Sequence, residues 1–378
     1  MAVVTTGMQI TVASSEMADA VSRVSRAVAA RASLPILSGI LVEADSHGLS
    51  LTANNLSASI HVRIGALEVK HPGSTVIPAK LLRDILAGLP DAPLELSMED
   101  TTLRLRCLRT RATIRCLDPE DWPPAEEPES WESISLPVEE LTAGIAQVAG
   151  FASTAENRPV YTAVLMEVDE HGLTMVATDA YRVAECRLPL DEGAASWGRL
   201  LVPAKVMSDL PRVLKGENGD VTIRVSPRGN QVAFRLGASE IRARVIDGQY
   251  PNYKQVILDS FPTIVRLPKA GLDRALGACL AFADEERHAV RLLVDDGRLM
   301  VTAAAADVGG GEAEMDAELT GEPATIHLNA TFLRDALDVI GDTVELRISG
   351  PKTPMLIVDP DDDGYRHVVL PINVPSAT

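Results

Sequence analysis

A chain of 378 residues is long enough for two or three domains of ordinary size, and 46% hydrophobic residues with only 3% aromatics mean aliphatic cores of Val, Leu, Ile and Ala. Its net charge of −18 argues, taken alone, against a nucleic-acid partner, because phosphates repel an acidic surface. No run of about 18 apolar residues occurs, so no helix is expected to span a membrane.

In chain order, the first expected element is a helix near residues 15–30, where Met17, Val21, Val24 and Val28 follow helical spacing along one face. Next comes LPILSGILVEADSHGLSLTANN (Leu34 to Asn55), two apolar β-branched runs around a His-Gly turn, which is a hairpin signal. VIPAKLLRDILAGL then reads as a helix with Pro78 in its first turn and Gly88 as its stop. The segment LELSMEDTTLRLRCLRTRATIRCL (Leu94 to Leu117) is rich in strands. DPEDWPPAEEPESWE (Asp118 to Glu132), proline-rich and acidic, reads as a boundary.

The same series then starts again. A helix is expected near 138–150, a hairpin from Arg158 to Ala184, and a helix start at LVPAKVMSDLPRVLKG with Pro203 and Gly216. After a second boundary near Ser260 to Thr263 come a helix near 269–283 and a hairpin from Arg287 to Asp307. Gly309, Gly310 and Gly311 read as a flexible turn. HLNATFLRDALDVIG opens on Asn329, whose side chain can cap the helix, and Gly341 ends it. DPDDDG (Asp359 to Gly364) fits the first half of a calcium loop, but Leu370 stands at the twelfth position, so it reads as an acidic hairpin turn.

The landmarks are equivalent. Gly48, Gly172 and Gly297 stand 124 and 125 apart; Pro78, Pro203 and Asn329 stand 125 and 126 apart. The chain is therefore expected to hold three tandem copies of one α+β domain, at 1–128, 129–260 and 261–378. Each copy packs two helices on antiparallel sheets. The four scattered cysteines, Cys107, Cys116, Cys186 and Cys279, form no CxxC pair and read as buried thiols of a cytoplasmic protein. The N-terminal MAVVTTGMQITVA lacks the basic and apolar regions of a secretion signal. No GxSxG, HExxH, GxxxxGK[ST] or helix-opening GxGxxG occurs, so a binding protein without metal or cofactor is expected rather than an enzyme.

The block RPVYTAVLMEV…GLTMVATDAYRVAECRLPL, the PAK helix starts, VIDGQYPNYKQVI (Val245 to Ile257) and VVLPINV (Val368 to Val374) resemble the bacterial sliding clamp, the β subunit of the replicative DNA polymerase. The resemblance runs from about Met8 to Val374 and is most specific in ATDAYR and IDGQYPNY. It implies a head-to-tail homodimer ring of six similar domains, with twelve helices around duplex DNA. Such a ring is loaded by an ATP-driven clamp loader. It tethers the replicative polymerase's catalytic subunit, repair polymerases and ligase through short hydrophobic motifs, and catalyses nothing itself.

Three sites follow. Sliding needs cations that meet phosphates without reading bases. The helices offer Arg23, Arg26, Lys80, Arg83, Lys205, Arg212, Lys215, Arg274 and Arg334, and the loop before each hairpin adds Arg31, Arg158 and Arg287. The resemblance implies a peptide cleft between the second and third copies, carried by motif onto Thr178, Ala180, Tyr181, Arg182, Val183, Pro251, Gln255, Val256, Pro354, Val368, Leu370, Pro371, Ile372 and Val374, with Tyr161 beside them. For ring closure, LRLRCLRTRATIR resembles a basic edge strand with Arg104, Arg106, Arg109, Arg111 and Arg115, and edges seek partners. Copy three offers Asp284, Glu285, Glu286, Glu312, Glu314, Asp316 and Glu318, with Leu280, Phe282, Ala112 and Ile114 as the apolar centre. The chain departs from the family at Ala180, where glycine is usual, and at Leu370, Ile372 and Asn373, where methionines and an arginine are common. It also continues through Pro375 to Thr378. An alternative is therefore a diverged second clamp copy whose altered cleft escapes an inhibitor.

Overall fold

The computed structural model describes residues 7–29, 34–190, 196–305 and 309–372. Copy one supplies β1 (Gln9–Ala13), α1 (Ser14–Val24), β2 (Gly39–Asp45), β3 (Gly48–Asn54), β4 (Ala58–Ile64), β5 (Glu68–His71), β6 (Gly73–Pro78), α2 (Ala79–Leu86), β7 (Pro93–Glu99), β8 (Thr102–Cys107) and β9 (Thr110–Arg115). Copy two supplies β10 (Glu132–Pro137), α3 (Val138–Val148), β11 (Ala163–Asp169), β12 (Gly172–Thr178), β13 (Arg182–Leu188), β14 (Trp197–Pro203), α4 (Ala204–Val213), β15 (Asp220–Val225), β16 (Gln231–Leu236) and β17 (Ser239–Arg244). Copy three supplies β18 (Thr263–Pro268), α5 (Lys269–Leu280), β19 (Ala289–Asp295), β20 (Arg298–Ala305), β21 (Gly309–Asp316), β22 (Glu318–Gly321), β23 (Ala324–Asn329), α6 (Ala330–Leu337), β24 (Thr343–Ile348), β25 (Met355–Asp359) and β26 (Asp362–Val369). Each copy thus carries two helices and a set of antiparallel strands, as the repeat predicts.

The strands form four sheets, and the two large ones each join two copies. One runs β10-β15-β16-β17-β4-β3-β2-β6 and the other β14-β11-β12-β13-β26-β25-β24-β18-β22. The remaining sheets are β5-β1-β7-β8-β9 and β21-β20-β19-β23. The chain accordingly divides into two compact units that cut across the copies: Met1–Thr142 with Lys205–Val245, and Ala143–Ala204 with Ile246–Thr378. Their interiors are aliphatic, and all four cysteines are buried free thiols. Burial raises the Cys186 thiol to about 12, far from the reactive thiolate.

Local chemistry explains where elements start and stop, and corrects several expectations. In α1, Met17, Ala20, Val21 and Val24 are buried along one face. The helix then tightens into a 3-10 turn at Ser25–Ala27, and Val28 is extended, so Ala27 rather than Val28 is the next buried residue. Pro78 is not in the first turn of α2. It is the last residue of β6 and the N-cap, so its missing N–H is lost at the strand end. Asn329 holds the same place before α6, where its side-chain oxygen accepts from Thr331 N at 2.8 Å and Phe332 N at 3.1 Å. Of the three stop glycines only Gly216 is left-handed, at φ 84°.

The three-glycine run is not a turn. Gly309 to Gly311 open β21 and pair with Ala305 to Ala303. A Cβ on Gly311 would come within 2.4 Å of the Phe282 ring, so glycine is what lets that ring lie on the sheet. The hairpin register pairs Asp45 with Gly48 and Asp169 with Gly172, but Asp295 with Arg298, so Gly297 sits one position early, inside its turn. The acidic stretch after Leu117 is anchored: Asp118 caps a 3-10 turn at Pro119–Asp121, and Trp122 packs on Ile36, Leu37 and Val76.

Candidate functional site

The cations divide into those already neutralised and those still available. Arg23 is 16% exposed; its guanidinium meets Asp19 at 2.6 Å and reaches Glu217, Val213 O and Ser239 at 3.3–3.4 Å. Arg26 and Lys205 share one carboxylate, Asp209, each at 2.8 Å, which ties the 3-10 turn after α1 to α4. Arg334 bridges α6 to Asp273 on α5 at 2.7 Å, and that pairing raises its pKa further. Lys80, Arg83, Arg212 and Arg274 are exposed on their helices and Lys215 is exposed in the turn after α4; among the described residues only the sequence neighbour Asp84 lies within 4.0 Å of Arg83. Arg158 and Arg287 are exposed on loops, and Arg31 lies outside the described residues.

The expected cleft residues meet around the turn between β12 and β13. Asp179 accepts the N–H groups of Tyr181 at 3.0 Å and Arg182 at 3.1 Å. Thr178 accepts from Ala180 N at 3.1 Å and donates to Arg182 O at 2.6 Å. This holds Ala180 left-handed at φ 81°, a conformation that costs a non-glycine residue about 1–2 kcal/mol. Glycine would remove that strain. Arg182 is fixed by Asp179 at 2.9 Å and Asp335 at 2.6 Å, and its guanidinium lies 4.5 Å from the Phe332 ring and 5.1 Å from that of Phe151. Tyr181 stacks on Phe332 at 6.3 Å and stays 63% exposed.

The β13–β26 pairing sets Val183 opposite Val368, and Leu370 N donates to Tyr181 O at 2.9 Å. Pro354 precedes Met355, which pairs with Val369. Tyr250, just before Pro251, is buried and donates its hydroxyl to Val176 O on β12 at 3.2 Å. Pro251, Val256, Tyr161, Leu370, Pro371 and Ile372 are half-buried and Gln255 is exposed; Val374 lies outside the described residues. A half-buried aliphatic floor beside an exposed tyrosine can take apolar side chains of a short peptide. Phe332, Phe151, Asp335 and His367 were missed by sequence reasoning. No motif or spacing marks them, because Arg182 and Asp335 meet across 153 positions.

The third set is split by the structure. Arg104 and Arg106 are not on an edge: they lie on β8, inside its sheet, facing Glu99 at 2.7 Å and Glu95 at 3.6 Å on β7. The edge is β9, with Arg111 and Arg115 exposed, Ala112 half-buried and Ile114 buried; Arg109 sits in the turn before it. β21 is also an outer strand. Glu312, Glu314 and Asp316 are exposed and alternate with half-buried Gly311, Ala313 and Met315, while Arg298 holds Glu314 at 2.6 Å. Leu280, the last residue of α5, and Phe282, whose ring lies against Gly311, are half-buried, and Glu318 belongs to β22 in another sheet.

Comparison with known proteins decides the family. The DNA polymerase III beta subunit family matches the chain in three parts: its N-terminal domain over residues 8–126, its central domain over 135–252 and its C-terminal domain over 254–373. The chain belongs to this family. It is 30% identical to the beta sliding clamp of Caulobacter vibrioides, over 97% of this chain and 100% of that one. It is likewise 30% identical to the beta sliding clamp of Synechococcus elongatus, over 98% and 100%. Among solved structures it is similar to the Pseudomonas aeruginosa sliding clamp bound to griselimycin, with TM-score 0.92, 26% identity and coverage of 97% and 100%. It is also similar to the Bacillus subtilis DNA polymerase sliding clamp, with TM-score 0.91, 25% identity and coverage of 98% and 100%. No relative among these favours the inhibitor-escaping second copy. Among the described residues no helix is long and apolar enough to cross a membrane, and no group of three or more His, Cys, Asp or Glu could hold a metal.

Proposed function

We propose that this chain is a DNA sliding clamp: two copies close head to tail into a ring, hold duplex DNA without reading its sequence, and tether polymerases by short peptides. One observation carries the reading. Within the chain, the third hairpin strand of one copy pairs with the last strand of the next: β4 with β17, and β13 with β26. Two strands are left over, β21 of copy three and β9 of copy one, and both are outer strands of their sheets. The same rule, applied between two chains, joins β21 of one to β9 of the other and closes after two.

The register transfers as well. In the chain, Ile241 faces Ile60 and Glu240 faces His61. Hairpin equivalence then sets Ala112 opposite Gly311 and Arg111 opposite Glu312. The small pair lies on the Phe282 face, and the opposite charges lie on the other face. Three clamp domains per chain, at 1–128, 129–260 and 261–378, give a ring of six. The helix cations lie around its hole and the acidic remainder lies outside.

The groove around Tyr181, Leu370 and Val256 takes hydrophobic motifs of the polymerase catalytic subunit, the clamp loader, repair polymerases and ligase. The chain acts in the cytoplasm and supplies no catalysis or cofactor. The test is topological. The chain is loaded onto nicked circular DNA with its own organism's clamp loader and passed through gel filtration. It is expected to co-elute with the circle and to be released when one restriction cut linearises it. Equal retention on circle and line would overturn the ring.

A further inference from the structure

The turn that builds the peptide groove occurs twice. Leu56 is left-handed at φ 73°, as Ala180 is at φ 81°, and the two positions stand 124 apart, the same as Gly48 and Gly172. Asn55 accepts from Ser57 N at 3.0 Å and Ala58 N at 2.8 Å, as Asp179 does from Tyr181 and Arg182. Ser57 O accepts from Arg244 N at 2.8 Å, as Tyr181 O accepts from Leu370 N at 2.9 Å. Where copies one and two join, this turn borders an open groove of about 650 Å³.

The backbone is repeated but the chemistry differs. Arg244 stands where the other groove has Leu370, and Ser57 where it has Tyr181. The basic wall is Arg242 and Arg244; Leu56, 43% exposed, and half-buried Leu41 are its apolar side. The opposite wall is the chain's own Trp122, Pro123, Pro124, Ala125 and Glu126. Arg242 binds Glu127 and also its strand neighbour Glu240, and Arg244 lies 3.6 Å from Glu126. Trp122 is anchored in the core cluster, whereas Arg244 and Glu126 are 63% and 72% exposed at their side chains. An exposed pair of this kind is worth little and is readily exchanged.

We propose that the junction of copies one and two is a second peptide groove, selective for an extended acidic, proline-containing segment of a partner protein, and held shut by Glu126 and Glu127. The chain's own segment displays the ligand chemistry: carboxylates for the two arginines and proline against Leu56. A partner carrying the same pattern displaces the glutamates while Trp122 stays docked.

The test uses the full-length chain and a fluorescein-labelled synthetic peptide copying Pro123 to Glu129, followed by anisotropy at low salt. Glu126→Gln with Glu127→Gln is expected to tighten peptide binding about fivefold by vacating Arg244 and the outer side of Arg242, whose pair with Glu240 remains. Arg244→Glu is expected to weaken it about tenfold or more by reversing the charge the peptide meets. Tyr181→Ser, in the other groove, leaves it unchanged. Failure of the glutamine pair to tighten binding, indifference to Arg244→Glu, or loss of binding in Tyr181→Ser would each overturn the second groove. Arg244, Glu126 and Glu127 are all exposed, so these variants fold.

Discussion

The His367 ring is fully buried, 4.6 Å from that of Phe151, with the Tyr365 hydroxyl 3.0 Å from its Nδ1. Nε2 has no protein partner among the described residues. Burial first, and the Arg182 charge second, push its pKa down to about 3. The sign follows from linkage: below the unfolded value of about 6.5 the unfolded chain binds a proton that the folded chain refuses. The stabilisation is complete above that value and is lost as pH falls from there toward 3. This one group is expected to cost about 2 kcal/mol between pH 7.5 and pH 5. His367→Gln removes the titration, so its urea midpoint should fall less over that range than the wild type's; parallel declines would discard the assignment. None of this was legible beforehand. ATDAYR marks the turn, but Asp335, which holds Arg182, lies 153 positions away, and no periodicity links such residues.

At the scale of elements, the sequence pattern found the helices and hairpins and misplaced their ends. Val28 kept the helical spacing but not the helix, because spacing does not report where the backbone tightens. The glycines before Glu312 looked like a turn because glycine usually marks one; here they open a strand, and close approach of the Phe282 ring requires glycine at Gly311. Arg104 and Arg106 alternate like an edge, but alternation reports which face is wet, not which strand is outermost. The outer strands β9 and β21, paired in the proposed ring, make a specific expectation. Arg111→Glu puts two carboxylates opposite each other, at a cost of about 1–2 kcal/mol per interface. The proposed ring would contain that interface twice, so dimer dissociation is expected to rise about a hundredfold. Glu312→Arg alone should act alike, and the double variant should restore the dimer in sedimentation velocity. A double variant that stays monomeric would show that these residues do not face each other.

For the whole molecule, net charge is a poor guide to a partner that meets only one surface. A chain at −18 can hold DNA if its cations are gathered on one side, which is what the proposed ring requires of its helices. The repeat was visible in the sequence; which cations are spent inside the protein was not, because that depends on pairings such as Arg23 with Glu217, 194 positions apart. The distinction can be measured. Removing one cation that touches a phosphate reduces the slope of log affinity against log salt by about 0.9. Changing Lys80, Arg83, Arg212 and Lys215 together to glutamine should lower the slope by about 2–4, because only some of these side chains meet phosphate at any one moment. Arg23→Gln should leave the slope unchanged and instead lower the unfolding midpoint, since Asp19 and Glu217 already neutralise that guanidinium and its removal strands them. An equal slope change from Arg23→Gln would mean that its ion pairs open when DNA enters. No change from the fourfold variant would move the DNA-binding surface away from these helices.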